Sequence, residues 1–174
     1  VMQAAFILAG LAGAVAVLSS KAGAAPNGRL SPEEVEILAE QTVKFHFPAV
    51  DPLMIRAMVE IESSRQPSAL RVEPHISDAS AGLMQTLVST AQWLHDDMGA
   101  RAFGRPTLER LMDAGTSMYF GTAYINWLRR YKGQPRSEQW IVESYNGGPG
   151  NSNSQTKNHY QKYLKAKQSL TGAF

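Results

Sequence analysis

The stretch DPLMIRAMVEIESSRQP, residues 51–67, decides how the chain is read. Asp51 before Pro52 marks a helix start, because an aspartate accepts from the free N–H groups of a first turn and proline fits the first helical position. Leu53, Ala57 and Ile61 form one apolar row at helical spacing, and Ile55 and Val59 form another. The segment therefore predicts a buried helix reaching about Ser64 before Pro67. Glu62 sits one turn after Met58 and beside Ile61, at the end of that apolar helix. Burial disfavours a charged carboxylate, so a glutamate there is a candidate proton donor. Glu60, two positions earlier, points to another face and reads as solvated or ion-paired.

Helical patterns continue on both sides. Upstream, Ser31-Pro32-Glu33-Glu34 predicts a capped helix carrying Val35, Leu38, Ala39 and Val43, ended by Pro48. Downstream, 68–81 lacks a helical period and reads as a loop or irregular hairpin. Ser89 or Thr90 can cap a helix through Trp93 and Leu94 to Met98, with Gly99 as its stop. The longest helix is expected between Asp113 and Lys132, and Ser137 caps another that contains Trp140, Ile141 and Tyr145. Gly147-Gly148-Pro149-Gly150 breaks that helix, and a last one spans Thr156 to Ser169 with Tyr160, Tyr163 and Leu164 inward. Trp93, Trp127 and Trp140 each lie in an apolar stripe, which favours core packing over exposed stacking.

Composition narrows the function. The 174 residues suit one domain, and a net charge of +2 gives no reason to expect nucleic acid. The absence of cysteine removes disulfides, thiolate metal sites and a cysteine nucleophile. The four histidines show no HExxH spacing, so neither metal nor other cofactor is expected. Ser63 near His75 has no G-x-S-x-G elbow, which argues against a serine hydrolase. Residues 1–25 form an apolar segment, uncharged from Val1 to Ser20 and followed by Ala22-Gly23-Ala24-Ala25. This is expected to be an export signal, with a membrane anchor at 1–20 as the competing reading. Residues 26–32 then read as a linker, and 33–170 as the catalytic domain.

Three motifs occur in order: Glu62-Ser63, Gly82-Leu83-Met84-Gln85 followed by Ser89-Thr90-Ala91, and Ser144-Tyr145-Asn146-Gly147-Gly148. Together they resemble the soluble lytic transglycosylase (SLT) family of the lysozyme-like superfamily, across roughly Val50 to Leu164. The resemblance implies a mainly α, lysozyme-like helical domain with a glycan cleft and a short irregular or β-like segment around 70–86. It implies cleavage of the β-1,4 bond between N-acetylmuramic acid and N-acetylglucosamine in peptidoglycan, without water, leaving 1,6-anhydromuramic ends. Glu62 matches the family's catalytic acid. Ser63, Met84, Gln85, Tyr119, Tyr145 and Asn146 are the expected substrate-binding residues. A monomer is expected, acting in the periplasm, cell envelope, extracellular space or another lumenal compartment.

The chain also departs from the family pattern. Ser117 stands where the family has asparagine, Ala79-Ser80 replaces Gly-Ala before the GLMQ motif, and Arg65 replaces an aromatic. The loop between Glu62 and Gly82 is longer and carries Glu73, His75 and Asp78. Most glycosidases use two carboxylates. Asp78 is therefore the candidate second carboxylate, which would make the enzyme a goose-type-lysozyme-like hydrolase of peptidoglycan or a chitin-type glycan. A non-catalytic glycan-binding protein is the reading of another class.

Overall fold

The structure is a computed structural model that describes residues 28–172. The expected signal or anchor at 1–25 lies outside the described residues. The order of elements is α1 (Pro32–His46), α2 (Pro52–Ser63), β1 (Leu70–Glu73), β2 (Asp78–Ala81), β3 (Thr86–Leu87), α3 (Val88–Asp96), α4 (Leu108–Leu111), α5 (Ala114–Leu128), α6 (Glu138–Gly147) and α7 (Ser154–Thr171). The domain is mainly helical, as expected. The irregular segment is a three-stranded antiparallel sheet in the order β1-β2-β3.

Local chemistry sets these boundaries. Ser31 and Glu34 cap α1 reciprocally, the Glu34 amide donating to Ser31 Oγ at 3.2 Å and the Ser31 amide to Glu34 Oε2 at 2.8 Å. Asp51 Oδ1 accepts from the Leu53 amide at 2.9 Å and starts α2. Leu30, inside the stretch read as linker, is buried in the main core. Its amide donates to the Arg65 carbonyl at 2.9 Å, tying the chain before α1 to the end of α2.

The helix α5 is apolar around nearly its whole circumference, so it must run through the interior. It packs against α1, α3, α4 and α6 and separates the two buried clusters. The larger cluster joins Leu38, Ile55, Met58, Met84, Met118 and Tyr163. The smaller one lies on the other flank around Leu94, Leu111, Tyr119 and Phe120. The three tryptophans are half-buried against these clusters, and Trp93 meets Trp127 edge-on at 4.9 Å, in keeping with a packing role.

Several boundaries differ from the sequence reading. The longest described helix is α7 with 18 residues, not α5, which has 15. A 3₁₀ turn at Tyr131–Gly133 ends the earlier pattern, with Lys132 in left-handed backbone. The helix α3 begins at Val88 with no side-chain cap, because the Ser89 hydroxyl bonds to Asp78 instead. Leu164 is exposed rather than inward.

Gly82 fixes where the sheet meets α4 and α5. Its φ is +79°, and a Cβ there would lie 1.8 Å from the Leu111 carbonyl oxygen and 2.5 Å from Ser117 Oγ. Neither backbone strain nor the clash can be relieved by a side-chain rotation. Gly82→Ala should therefore lower the unfolding free energy by at least about 3 kcal/mol, measured by denaturant titration, and a loss under 1 kcal/mol would contradict this packing.

Candidate active site

The motifs converge on one turn, residues 82–85. Ser63 Oγ, at the end of α2, donates to the Leu83 carbonyl at 2.9 Å. Ser117 Oγ, from α5, accepts from the buried Met84 amide at 3.0 Å. Tyr145 OH, from α6, donates to the Met84 carbonyl at 2.8 Å and lies 3.1 Å from Thr86 Oγ1. With its proton committed to Met84, the phenol receives the Thr86 hydroxyl proton. Burial, and secondarily the charge of Glu62, hold the Tyr145 hydroxyl well above the usual phenol range, so it stays a neutral donor.

The backbone around this turn is strained. Ser64, Arg65 and Gln85 have φ of 50°, 67° and 47°, left-handed values that cost a non-glycine residue on the order of 1 kcal/mol each. The strain is held by specific contacts. Arg65 pairs with Glu60 at 3.1 Å, which gives Glu60 the ion-paired role expected of it. The Gln85 amide nitrogen donates to the Ala69 and Gly82 carbonyls at 3.0 and 3.1 Å, and its oxygen accepts from Ser80 Oγ at 3.2 Å.

Next to the turn lies a cavity of about 620 Å³. Glu62, Gln85, Thr86, Tyr124, Tyr145 and Asn146 line it, together with Arg71, Glu73 and His75 from the lengthened loop. The Glu62 side chain is only 11% exposed. His159 Nε2 from α7 lies 3.1 Å from Glu62 Oε1, off the line that a full hydrogen bond needs. The Asn146 side-chain oxygen is buried without a hydrogen-bond partner in the protein.

The expected site residues therefore divide. Glu62, Gln85, Tyr145 and Asn146 line the cavity. Met84 does not. Its side chain is fully buried and packs on Gly121, where a Cβ would lie 2.4 Å from Met84 Cβ. Ser63 spends its hydroxyl on backbone carbonyls. Tyr119 does not reach the cleft: it is buried on the far flank beside His46, Phe47 and Phe103, its hydroxyl accepting from the Ala102 amide at 3.2 Å. Asp78 is not a lining carboxylate either. It caps its own neighbour, accepting from the Ala79 amide at 2.7 Å, and binds the Ser89 hydroxyl.

Several lining residues were not marked as site residues in the sequence, Arg71, Thr86 and Tyr124 among them, and Glu73 was noted only as part of the lengthened loop. Glu73 occupies the loop position expected of Asp78 and pairs with Arg71. The only trace of His159 was its place on the same face of α7 as Gln155 and Lys162.

A helical domain with a small sheet on one side and a nearly buried glutamate at the base of a polar cleft defines a lysozyme-like architecture. The chain belongs to the transglycosylase SLT domain family, whose sequence model matches residues 44–168. Membership supports glycosyl-transferring activity of this class on peptidoglycan. No curated protein matches the chain. No helix of the described residues is long and apolar enough to cross a membrane.

The clasp on the turn has a measurable consequence. Ser117→Ala leaves the Met84 amide buried without an acceptor, which costs about 1–3 kcal/mol. The variant should lose that much stability in denaturant titration, while Ser117→Thr, which keeps the acceptor but adds a methyl group, should separate the hydrogen bond from the volume.

Proposed function

We propose that the protein cleaves the β-1,4 bond between N-acetylmuramic acid and N-acetylglucosamine non-hydrolytically, with Glu62 as both acid and base. The observation that carries this reading is Glu62 itself, a nearly buried carboxyl at the base of a polar cleft to which Gln85, Thr86, Tyr145 and Asn146 bring neutral hydrogen-bonding groups. Protonated, it donates to the glycosidic oxygen as the bond breaks. The substrate's own N-acetyl group stabilises the cationic carbon. The Glu62 carboxylate then takes the proton of the C6 hydroxyl, whose oxygen closes the 1,6-anhydro ring. Proton donor and acceptor are the same group, so the cycle needs no water and returns Glu62 to its starting state. Tyr145 holds the floor of the cleft through the Met84 carbonyl, and Asn146 lines the cleft with an amide, a group suited to a sugar hydroxyl or acetamido group.

One observation favours a second reading. Glu73 lines the same cavity, and a second carboxylate could activate water as in a lysozyme-like hydrolase. Its partner Arg71 argues the other way, since the ion pair holds its oxygens and weakens it as a base. Substrate binding and action outside the cytoplasm follow from the same proposal, because the polymer lies there.

Glu62→Gln should lower release of soluble fragments from purified cell walls at least about 100-fold with the fold intact. Equal solubilisation by wild type and variant would sink the proposal. Mass spectrometry of the digest separates the two chemistries. Anhydro ends that persist in Glu73→Gln support the transglycosylase; reducing ends that vanish in Glu73→Gln support hydrolysis.

A further inference from the structure

The last helix sets a histidine against the acid. His159 lies one turn after Thr156 and one turn before Tyr163, both buried, so it borders the inward stripe of α7. The start of that helix is firmly held. Asn153 Oδ1 accepts from the Gln155 and Thr156 amides at 2.9 and 3.1 Å. Glu143, buried on α6, accepts from Gln139 Nε2 at 2.7 Å and lies beside the Ser152 and Thr156 hydroxyls. Gly147 lets α7 come close to α6, since a Cβ there would lie 2.6 Å from Thr156 Cγ2. These contacts bring the nearly buried His159 ring to Glu62, with Nε2 3.1 Å from Oε1.

Among the described residues, His159 is the only basic side chain within ion-pair distance of Glu62. Two neutral donors lining the cleft beside it are committed elsewhere. Tyr145 gives its proton to the Met84 carbonyl, and Gln85 gives its amide protons to the Ala69 and Gly82 carbonyls. His159 Nε2 differs from both, being buried with no aligned partner. A buried donor left without an acceptor is costly, and the acceptor at hand is Glu62 Oε1. The last torsion of a glutamate side chain is soft, so a turn of the carboxyl brings Oε1 into line at little cost.

Resting on the reading of Glu62 as acid and base, we infer that His159 is a positioning residue that donates its Nε2 proton to Glu62 Oε1 and keeps the catalytic proton on Oε2. A carboxyl that accepts at one oxygen carries its own proton on the other. In the first step Oε2 gives that proton to the glycosidic oxygen, and in the second the C6 hydroxyl proton returns to Oε2. His159 keeps its own proton throughout, so nothing else is gained or lost. Between the steps its bond to Oε1 becomes charge-assisted and strengthens, which stabilises the carboxylate in a poorly hydrated site. The ring serves as a neutral donor. A full cation there would favour ionised Glu62 and withhold the proton that the first step needs.

Two measurements on the full chain test this. The first is nitrogen-15 NMR of the His159 ring in mildly alkaline buffer, where an imidazole is neutral. The proton should sit on Nε2 as a slowly exchanging resonance that is lost in Glu62→Leu. A proton on Nδ1, or an Nε2 proton signal unchanged by Glu62→Leu, overturns the inference. The second is turnover of soluble, uncrosslinked peptidoglycan strands. His159→Leu should lower kcat about tenfold and leave KM within about twofold. His159→Gln, whose amide nitrogen stands where Nε2 does, should recover kcat to within about threefold of wild type. Equal impairment by Leu and Gln, or a loss confined to KM, also overturns it. Absence of turnover in the wild-type chain counts against the proposed reaction, whereas the ring spectrum reports on the pair whether or not the glycan is cut.

Discussion

Three hydroxyls from three helices close on one peptide segment, and the rest of the site depends on that clasp. Ser63 holds the Leu83 carbonyl, Ser117 the Met84 amide and Tyr145 the Met84 carbonyl. Each bond satisfies a backbone group that the core would otherwise bury unpaired, at a cost of about 1–3 kcal/mol apiece. The clasp joins α2, α5 and α6 at the point where the sheet enters the core. It fixes the end of α2, and so the position of Glu62, relative to the wall carrying Tyr145 and Asn146. The left-handed residues Ser64, Arg65 and Gln85 surround the same point. Strain of this kind persists only where neighbouring contacts over-determine the backbone.

The clasp changes what the motifs mean. Ser63, Met84 and Gln85 were expected to meet substrate. Instead they hold the cleft's shape: Ser63 and Gln85 through carbonyls, and Met84 by filling the space that Gly121 leaves. Only Gln85 of the three also lines the cavity. Ser117, noted in the sequence as a departure from asparagine, does its work with one hydroxyl oxygen. A short side chain suffices there because Gly82 lets the turn approach α5 closely.

Much of this was legible in the sequence, for physical reasons. Capping signals at Ser31, Asp51 and Ser137 act within four residues, and each forms in the structure as read. Helical apolar rows likewise report burial along one element. What local patterns do not carry is competition between distant groups. Ser89 was read as a cap, yet Asp78, eleven residues earlier, takes its hydroxyl. That single exchange removed both the expected cap and the expected second carboxylate. Glu73, noted in the same loop, was passed over for Asp78 because the hairpin register, pairing Glu73 with Asp78 across the two strands, is a tertiary fact. Leu30 failed as a linker residue for the same reason: its partner is the Arg65 carbonyl.

His159 is the clearest case of a residue hidden by a correct reading. The last helix was recognised as amphipathic, and its tyrosines drew the inward face. An α-helix offers more than one inward stripe when it packs between two elements, and α7 lies against both α2 and α6. Thr156 and Tyr163 serve the core, whereas Gln155, His159 and Lys162 look toward Glu62. Polar residues at i, i+4 and i+7 beside an apolar row normally read as solvent-facing; Gln155 and Lys162 are exposed, and only the third dimension shows the His159 ring drawn in against Glu62. The placement bears on how a lone acid can work. A glutamate serving as donor and then acceptor must change charge twice in each cycle in a poorly hydrated site. The His159 ring lies 3.1 Å from Glu62 Oε1, and Tyr145, kept neutral by burial, adds no opposing charge.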